Sequence, residues 1–136
     1  MGMAGIGRMF RRRRVDAATP LVDDGTLVVV GESFDPARAD SAVLADLAEK
    51  GVRVEGRELI LRHVLRLPDA AAAGEAARLL APDGWALAPG PDGTTHADRQ
   101  QKVTALELAR ERTRMAGLAQ RLGGDAEGWR LLGPPS

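Results

Sequence analysis

The sequence predicts an α+β fold, and three stretches carry this prediction. Residues 59–67 alternate leucine with other side chains at a period of two, which is typical of a β-strand with two unlike faces. Pro68 ends that stretch, and an alanine-rich run that favours helix follows it. Large apolar side chains recur every seven residues between residues 108 and 122, which indicates an amphipathic helix.

The predicted elements run in the order helix, strand, helix, strand, strand, helix, strand. Without the first helix, this order is the ferredoxin-like pattern of a split βαβ unit. We therefore expect a four-stranded antiparallel sheet with helices packed on one face, preceded by an extra N-terminal helix.

Length and composition exclude several classes of protein. The 136 residues suffice for one domain, and a chain of this size needs no disulfide or metal to stabilise its core. There is no cysteine, and the 19 basic and 19 acidic side chains cancel, so polyanion binding by the whole chain is not favoured. No apolar run approaches the roughly 20 residues that span a bilayer. We expect a cytoplasmic protein without a membrane span.

The chain divides at about residue 25. Residues 1–25 are rich in glycine and alanine and carry no sustained period, so we expect a disordered basic arm. Residues 26–136 hold the predicted elements and form the single α+β domain. The arm can make weak, salt-sensitive contacts to phosphate, which leaves a nucleic-acid-binding module as an alternative function. The side chains for such contacts are Arg8, Arg11, Arg12, Arg13 and Arg14.

The start of the domain contains a short apolar run and a helix. Residues 27–30 are mostly β-branched and end at a glycine, and they are either a strand or an extended arm packed on the domain. Asp35 can cap the following helix, with Pro36 at its first position. Gly51 is the expected stop of that helix.

The next helix is predicted after the long strand. Asp69 begins it, and it runs to about Ala81 with Leu79 and Leu80 at its buried end. A Pro-Asp-Gly turn then leads to a short strand that holds Trp85.

The last third of the chain contains a polar strand, a helix and a final strand. Residues 95–103 are assigned to the polar strand. Thr104 and Glu107 have the spacing of a capping box, in which each side chain bonds to the backbone of the other residue. Gly123 ends the helix, and residues 126–132 form the last strand.

The two histidines are weak candidates for chemistry. His63 lies mid-strand among leucines, where a buried neutral imidazole bonded to the backbone is a better interpretation than a catalytic base. His96 lies outside any metal-ligand spacing with it. The sequence also lacks a phosphate-binding loop and a nucleophile elbow. We therefore expect no enzymatic activity, no metal and no cofactor.

Arginines on the long strand are the candidate contacts for a partner. Arg62 and Arg66 project from one face of this strand and can form a cationic stripe on the open side of the sheet. Sheets that bind RNA this way also present aromatic side chains, and the strand offers none between the arginines. We expect Arg62 and Arg66 to pair with neighbouring glutamates, and we add Arg130 as a third candidate contact.

The two tryptophans both follow a glycine on short strands. A core position is the favoured interpretation, because tryptophan buries a large area and its N–H can reach an acceptor. The alternative is an anchor at a protein interface. If their strands are neighbours in the sheet, Trp85 and Trp129 can share a face.

Three segments resemble the RraB-like family of regulators, or inhibitors, of ribonuclease E activity. "SAVLADLAEKGVRVEGRELILRHVLRLP" is similar to the family's opening helix and long strand. "PDAAAAGEAARLLAPDGWALAP" resembles its next helix and the Gly-aromatic strand behind it. "TALELARERTRMAGLAQRLGGDAEGW" resembles its final helix and its Tyr-Asp-Gly-Trp ending. The segments follow the family's order across roughly residues 35–132.

The resemblance implies an α/β sandwich of ferredoxin-like build and a non-enzymatic role. It implies a protein that binds ribonuclease E as an inhibitor and thereby alters RNA turnover. Gly128 and Trp129 become signature positions, which we expect to serve mainly the fold, with Trp129 closing the sheet against the last helix. A small-ligand sensor is a further alternative, and it requires a concave pocket with convergent polar groups.

Overall fold

A computed structural model describes residues 20–135 of the chain as a five-stranded antiparallel sheet with three α-helices. The strands lie in the order β1-β5-β2-β4-β3. The elements are β1 (Val28–Ser33), α1 (Asp40–Glu49), β2 (Glu58–Arg66), α2 (Ala70–Leu80), β3 (Ala86–Pro89), β4 (Thr95–Lys102), α3 (Ala105–Arg121) and β5 (Asp125–Gly133). The α+β class and the antiparallel sheet are confirmed.

The prediction of four strands is wrong by one. The run at residues 27–30 forms the extra strand β1, which pairs antiparallel with β5, Val28 opposite Gly133 and Ser33 opposite Trp129. The sequence was compatible with either a strand or a packed arm for this run, because β-branched residues suit both. The run is a strand, because it pairs with the outer edge of β5.

Helix α1 ends as predicted and begins later than predicted. Gly51 has a φ of 86°, the left-handed conformation that glycine adopts readily behind a helix. Asp35, expected to cap the helix, instead accepts a hydrogen bond from the Ala37 backbone N–H in a turn, and the helix starts at Asp40 without a side-chain cap. The Asp35 carbonyl oxygen also accepts from Arg112 of α3, so a tertiary contact holds this turn.

The side chains of β2 alternate between two unlike faces of the sheet. Leu59, Leu61 and Leu65 are fully buried in the core that all three helices cover, and His63 lies on the same side, here called the helix face. The opposite side is called the second face. It carries Ile60, Arg62, Val64 and Arg66 of β2.

The capping signals of the two later helices are confirmed. The Asp69 carboxylate accepts a hydrogen bond from Ala72 N at 2.8 Å, and Thr104 Oγ1 accepts one from Glu107 N at 3.1 Å. The Glu107 carboxylate accepts from Arg110 rather than completing the capping box.

The buried end of α2 differs in part from its prediction. Leu80 is fully buried, whereas Leu79 is 38% exposed and was wrongly assigned to the core. Adjacent helical positions point about 100° apart, so one of the two must leave a one-sided interface.

Candidate protein-binding face

The second face carries a row of four charged side chains that crosses the sheet. Glu32 of β1 lies opposite Arg130 of β5, Arg130 opposite Arg62 of β2, and Arg62 opposite Asp98 of β4. We call these four residues the charged row. Its two cations lie next to each other at the centre, and one carboxylate lies at each end.

Arg62 is the most constrained of the predicted contact residues. Its Nε and Nη2 bind the two carboxylate oxygens of Asp98 at 2.9 and 2.8 Å, and Nη2 also lies 2.6 Å from Asp23. The hydrogen bond with Asp98 raises the pKa of Arg62 above its usual range, although burial acts in the opposite direction. The guanidinium is therefore charged and held in one orientation.

The other two predicted arginines also lie on the second face, with more exposure. Arg130 Nε donates to Glu32 at 3.0 Å, and its guanidinium carbon lies 4.8 Å from the centre of the Phe34 ring. Arg66 Nε donates to Glu127 at 2.6 Å, and this bond raises the pKa of Arg66. Arg66 thus pairs with a glutamate as predicted, whereas Arg62 pairs with two aspartates instead. Arg130, for which no pairing was predicted, also binds a glutamate.

An apolar row runs beside the charged row. Val29 of β1, Leu132 of β5 and Ile60 of β2 lie opposite one another in register, and we call these three residues the apolar row. Leu132 and Ile60 are buried outside the main core cluster, whereas Val29 is 49% exposed at the edge of the sheet. The second face therefore combines an apolar strip with fixed charges.

The N-terminal segment, residues 20–27, crosses this face. The Leu21 backbone N–H donates to Gln100 Oε1 of β4 at 2.7 Å, and the Asp23 carboxylate pairs with Arg62 of β2. The chain then enters β1 at the far edge of the sheet. Residues 1–19 of the predicted arm, including its arginines, lie outside the described residues, so the arm stays a prediction.

Trp129 is fixed by a buried polar network on the helix face. The indole is 0% exposed, and its Nε1 donates to Asp40 Oδ1 of α1 at 3.1 Å. Arg112 of α3 donates to the same oxygen at 2.7 Å and to the carbonyl oxygens of Arg38 and Asp35. The expected core position of Trp129 is confirmed. The network joins β5 to two helices, and sequence reasoning missed Asp40 and Arg112 because neither has a local signal.

Gly128 is required by a close approach of the backbone. A Cβ at this position would lie 2.4 Å from the Ser33 carbonyl oxygen and 2.4 Å from Phe34 Cδ1. Both distances are below contact, so the chain that leaves β1 passes directly over Gly128. Gly128 and Trp129 have structural roles in this fold.

Trp85 lies on the helix face, as Trp129 does, but near the other edge of the sheet. It is 3% exposed, and the Arg99 guanidinium carbon lies 4.3 Å from the centre of its ring. Arg99 also pairs with Glu111 of α3 at 3.3 Å. Trp85 directly precedes β3 rather than lying within it as predicted, and β4 and β2 separate β3 from β5. His63 nevertheless lies opposite Trp129 in register and edge-on to the Trp85 ring.

His63 is buried and neutral. It is 1% exposed, and burial lowers its pKa to about 3, with smaller contributions from Arg99 and Arg112. Its Nε2 is buried without a hydrogen-bond partner. His63 lines a cavity of about 120 Å³, which is small beside the roughly 300–1,000 Å³ of ordinary ligand pockets. His96 lies on the second face, so the sheet itself separates the two imidazoles.

A wider groove lies between α2 and β3. It has a volume of about 550 Å³, and among the described residues that line it Asp69 is the only charged one. The Asp69 carboxylate is already used as the cap of α2. The groove therefore does not favour a sensor for a polar ligand.

Within residues 20–135, no group of His, Cys, Asp and Glu is arranged to hold a metal ion. Within the same range, no helix has the length and apolar character that a bilayer crossing demands. Comparison of the chain with protein-family models, curated proteins and solved structures gives no match. The RraB-like resemblance accordingly stays a prediction.

Proposed function

We propose that the chain is a non-enzymatic regulatory protein that binds another protein through the second face of its sheet. In keeping with the resemblance of its sequence to the RraB-like family, we propose ribonuclease E as the partner and modulation of RNA turnover in the cytoplasm as the outcome. The observation that carries this proposal is the charged row, with Val29 exposed beside it, because oriented arginines next to apolar surface are typical of protein interfaces.

The arrangement of the other strands supports a ferredoxin-like classification. The four strands behind β1 in the chain lie in the order β5-β2-β4-β3, and α2 and α3 connect them as two βαβ halves. In this classification β1 and α1 are additions at one edge. A ferredoxin-like core leaves one side of its sheet without helices, and that side is the proposed interface.

Capture from lysate, followed by mass spectrometry, tests this function. The tagged full-length wild type is compared with the double variant Arg66→Ala/Arg130→Ala, which removes the two more exposed guanidinium groups of the second face. Arg78→Ala is the matched control, because Arg78 makes a similar exposed ion pair with Glu75 on α2, away from the second face. All three proteins are expected to keep their fold.

The wild type and Arg78→Ala are expected to enrich ribonuclease E and to slow RNA decay when overexpressed. The double variant is expected to lose at least tenfold in capture, since several interfacial contacts disappear together. A wild type that enriches no ribonuclease and leaves RNA decay unchanged would refute the proposal. Equal capture by the wild type and the double variant would refute the assignment to this face.

A further inference from the structure

The N-terminal segment lies on the second face, and a tight turn, in which Asp24 N–H donates to the Val22 carbonyl oxygen, presents Asp23 to the sheet. Its two anchors are separated by one residue, the Leu21 backbone N–H at Gln100 and the Asp23 carboxylate at Arg62. Val22, between them, points away from the protein and is 62% exposed. The face therefore already holds a short acidic sequence in a defined register.

The receiving side of this contact has a partner of its own, independent of the segment. Both carboxylate oxygens of Asp98 hold Arg62, so the guanidinium keeps its orientation when Asp23 leaves. Two residues before Arg62 in β2, Ile60 lies opposite Gln100 and provides an apolar neighbour. A preset cation beside an apolar side chain suits a short peptide that carries a carboxylate.

The ion pair that Asp23 makes with Arg62 is partly exposed to solvent. The side chain of Asp23 is 39% exposed, and exposed ion pairs change an equilibrium by only about two- to fivefold. Asp24, the next carboxylate, bonds to the backbone and hydroxyl of Thr26 and makes no contact with the charged row. A competing peptide of similar chemistry can thus take the place of residues 20–24.

We propose that the second face binds a short acidic segment of a partner protein, in which a backbone N–H reaches Gln100 and an aspartate two residues later reaches Arg62, and that residues 20–24 occupy this site when the partner is absent. The inference rests on the proposed function and deepens it, because it names the kind of segment that the same face takes. Residues 20–24 are then an internal competitor that sets the affinity for the partner.

Fluorescence anisotropy with a labelled peptide tests this proposal on the full-length protein. The probe is the synthetic peptide PLVDDGT, which copies residues 20–26. Asp23→Asn removes the internal ion pair, and Asp24→Asn is its matched control one residue away. Asp23→Asn is expected to bind the probe about two- to fivefold more tightly than the wild type, because internal competition is reduced. Asp24→Asn is expected to bind like the wild type.

The receiving side is tested in the Asp23→Asn background. Adding Arg62→Gln is expected to abolish the gain, as is changing the first aspartate of the probe to asparagine. Gln100→Leu removes the acceptor of the Leu21 amide and leaves Arg62 and Asp98 intact, so it tests the same site if Arg62→Gln fails to fold. Thermal unfolding of each variant separates lost binding from lost fold.

Several results would overturn the proposal. Equal binding by the wild type, Asp23→Asn and the Arg62→Gln double variant would show non-specific attachment, and absence of binding to Asp23→Asn would show that no site exists. Arg62-dependent dimerisation of Asp23→Asn would identify a second copy of the chain as the occupant. Capture of a ribonuclease plays no part in this assay, so the peptide site and the proposed function fail independently.

Discussion

The sharpest stability prediction concerns Asp40, the carboxylate beneath Trp129. Its side chain is 3% exposed and accepts hydrogen bonds from Trp129 Nε1 and Arg112 Nη1. Asp40→Ala leaves a fully buried indole N–H without an acceptor, which costs about 1–3 kcal/mol. Arg112 keeps two carbonyl acceptors and some contact with water. Loss of its ion pair with Asp40 therefore adds only about 1 kcal/mol. We expect the free energy of unfolding to fall by about 2–4 kcal/mol.

Urea denaturation followed by tryptophan fluorescence measures this change. For a domain of this size the expected loss corresponds to roughly 8–16 °C in Tm. Asp46→Ala is the control on the same helix, because Asp46 makes only an exposed ion pair with Arg38, and no measurable change is expected. An Asp40→Ala protein within about 0.5 kcal/mol of the wild type would refute the network as a source of stability.

Two further predictions follow from the packed interior. Gly128→Ala is expected to destabilise the fold by about 1–3 kcal/mol, because the new methyl group would lie 2.4 Å from the Ser33 carbonyl oxygen. Gly117→Ala in α3 is expected to stabilise the fold by up to about 1 kcal/mol, because the added Cβ would have no atom within 4 Å outside its own helix backbone. Equal changes in the free energy of unfolding for the two variants, measured by denaturation curves, would contradict the close approach at Gly128. Burial lowers the pKa of His63 from 6.5 to about 3, so protonation favours the unfolded chain as the pH falls below 6.5, and stability is expected to drop by about 2 kcal/mol between pH 7 and pH 5. His63→Gln is expected to remove this dependence of stability on pH and to leave the smaller one from His96, whose pKa burial also lowers. An unchanged dependence would show that His63 takes up a proton in the folded protein as readily as in the unfolded chain.

Elements with strong local signals could be predicted from the sequence. The period-2 pattern of residues 59–67 places leucines on one side and arginines on the other, and β2 has this arrangement. The caps Asp69 and Thr104 form as their spacing predicts. The start of α1 could not be predicted this way, since Asp35 has equal local chemistry for a cap and for a turn. A bond from Arg112, 77 residues away, holds the turn.

The candidate site shows the same division. Its three arginines could be placed on one face from the alternation of strand side chains, and the carboxylates that orient them could not be identified. Glu32 lies 98 residues from Arg130, and Asp98 lies 36 residues from Arg62. These partners meet only because β1 pairs with β5, and β4 with β2, in this register.

The sequence by itself determined the α+β class, the two faces of β2, most helix ends and the burial of both tryptophans. These features depend on side-chain periods and capping bonds that span a few residues. Tertiary structure alone decided the fifth strand, the Asp40 network and the path of residues 20–24 over the second face. Each of these depends on which backbone edges and buried polar groups meet across the folded chain, and a local pattern carries no record of such distant partners.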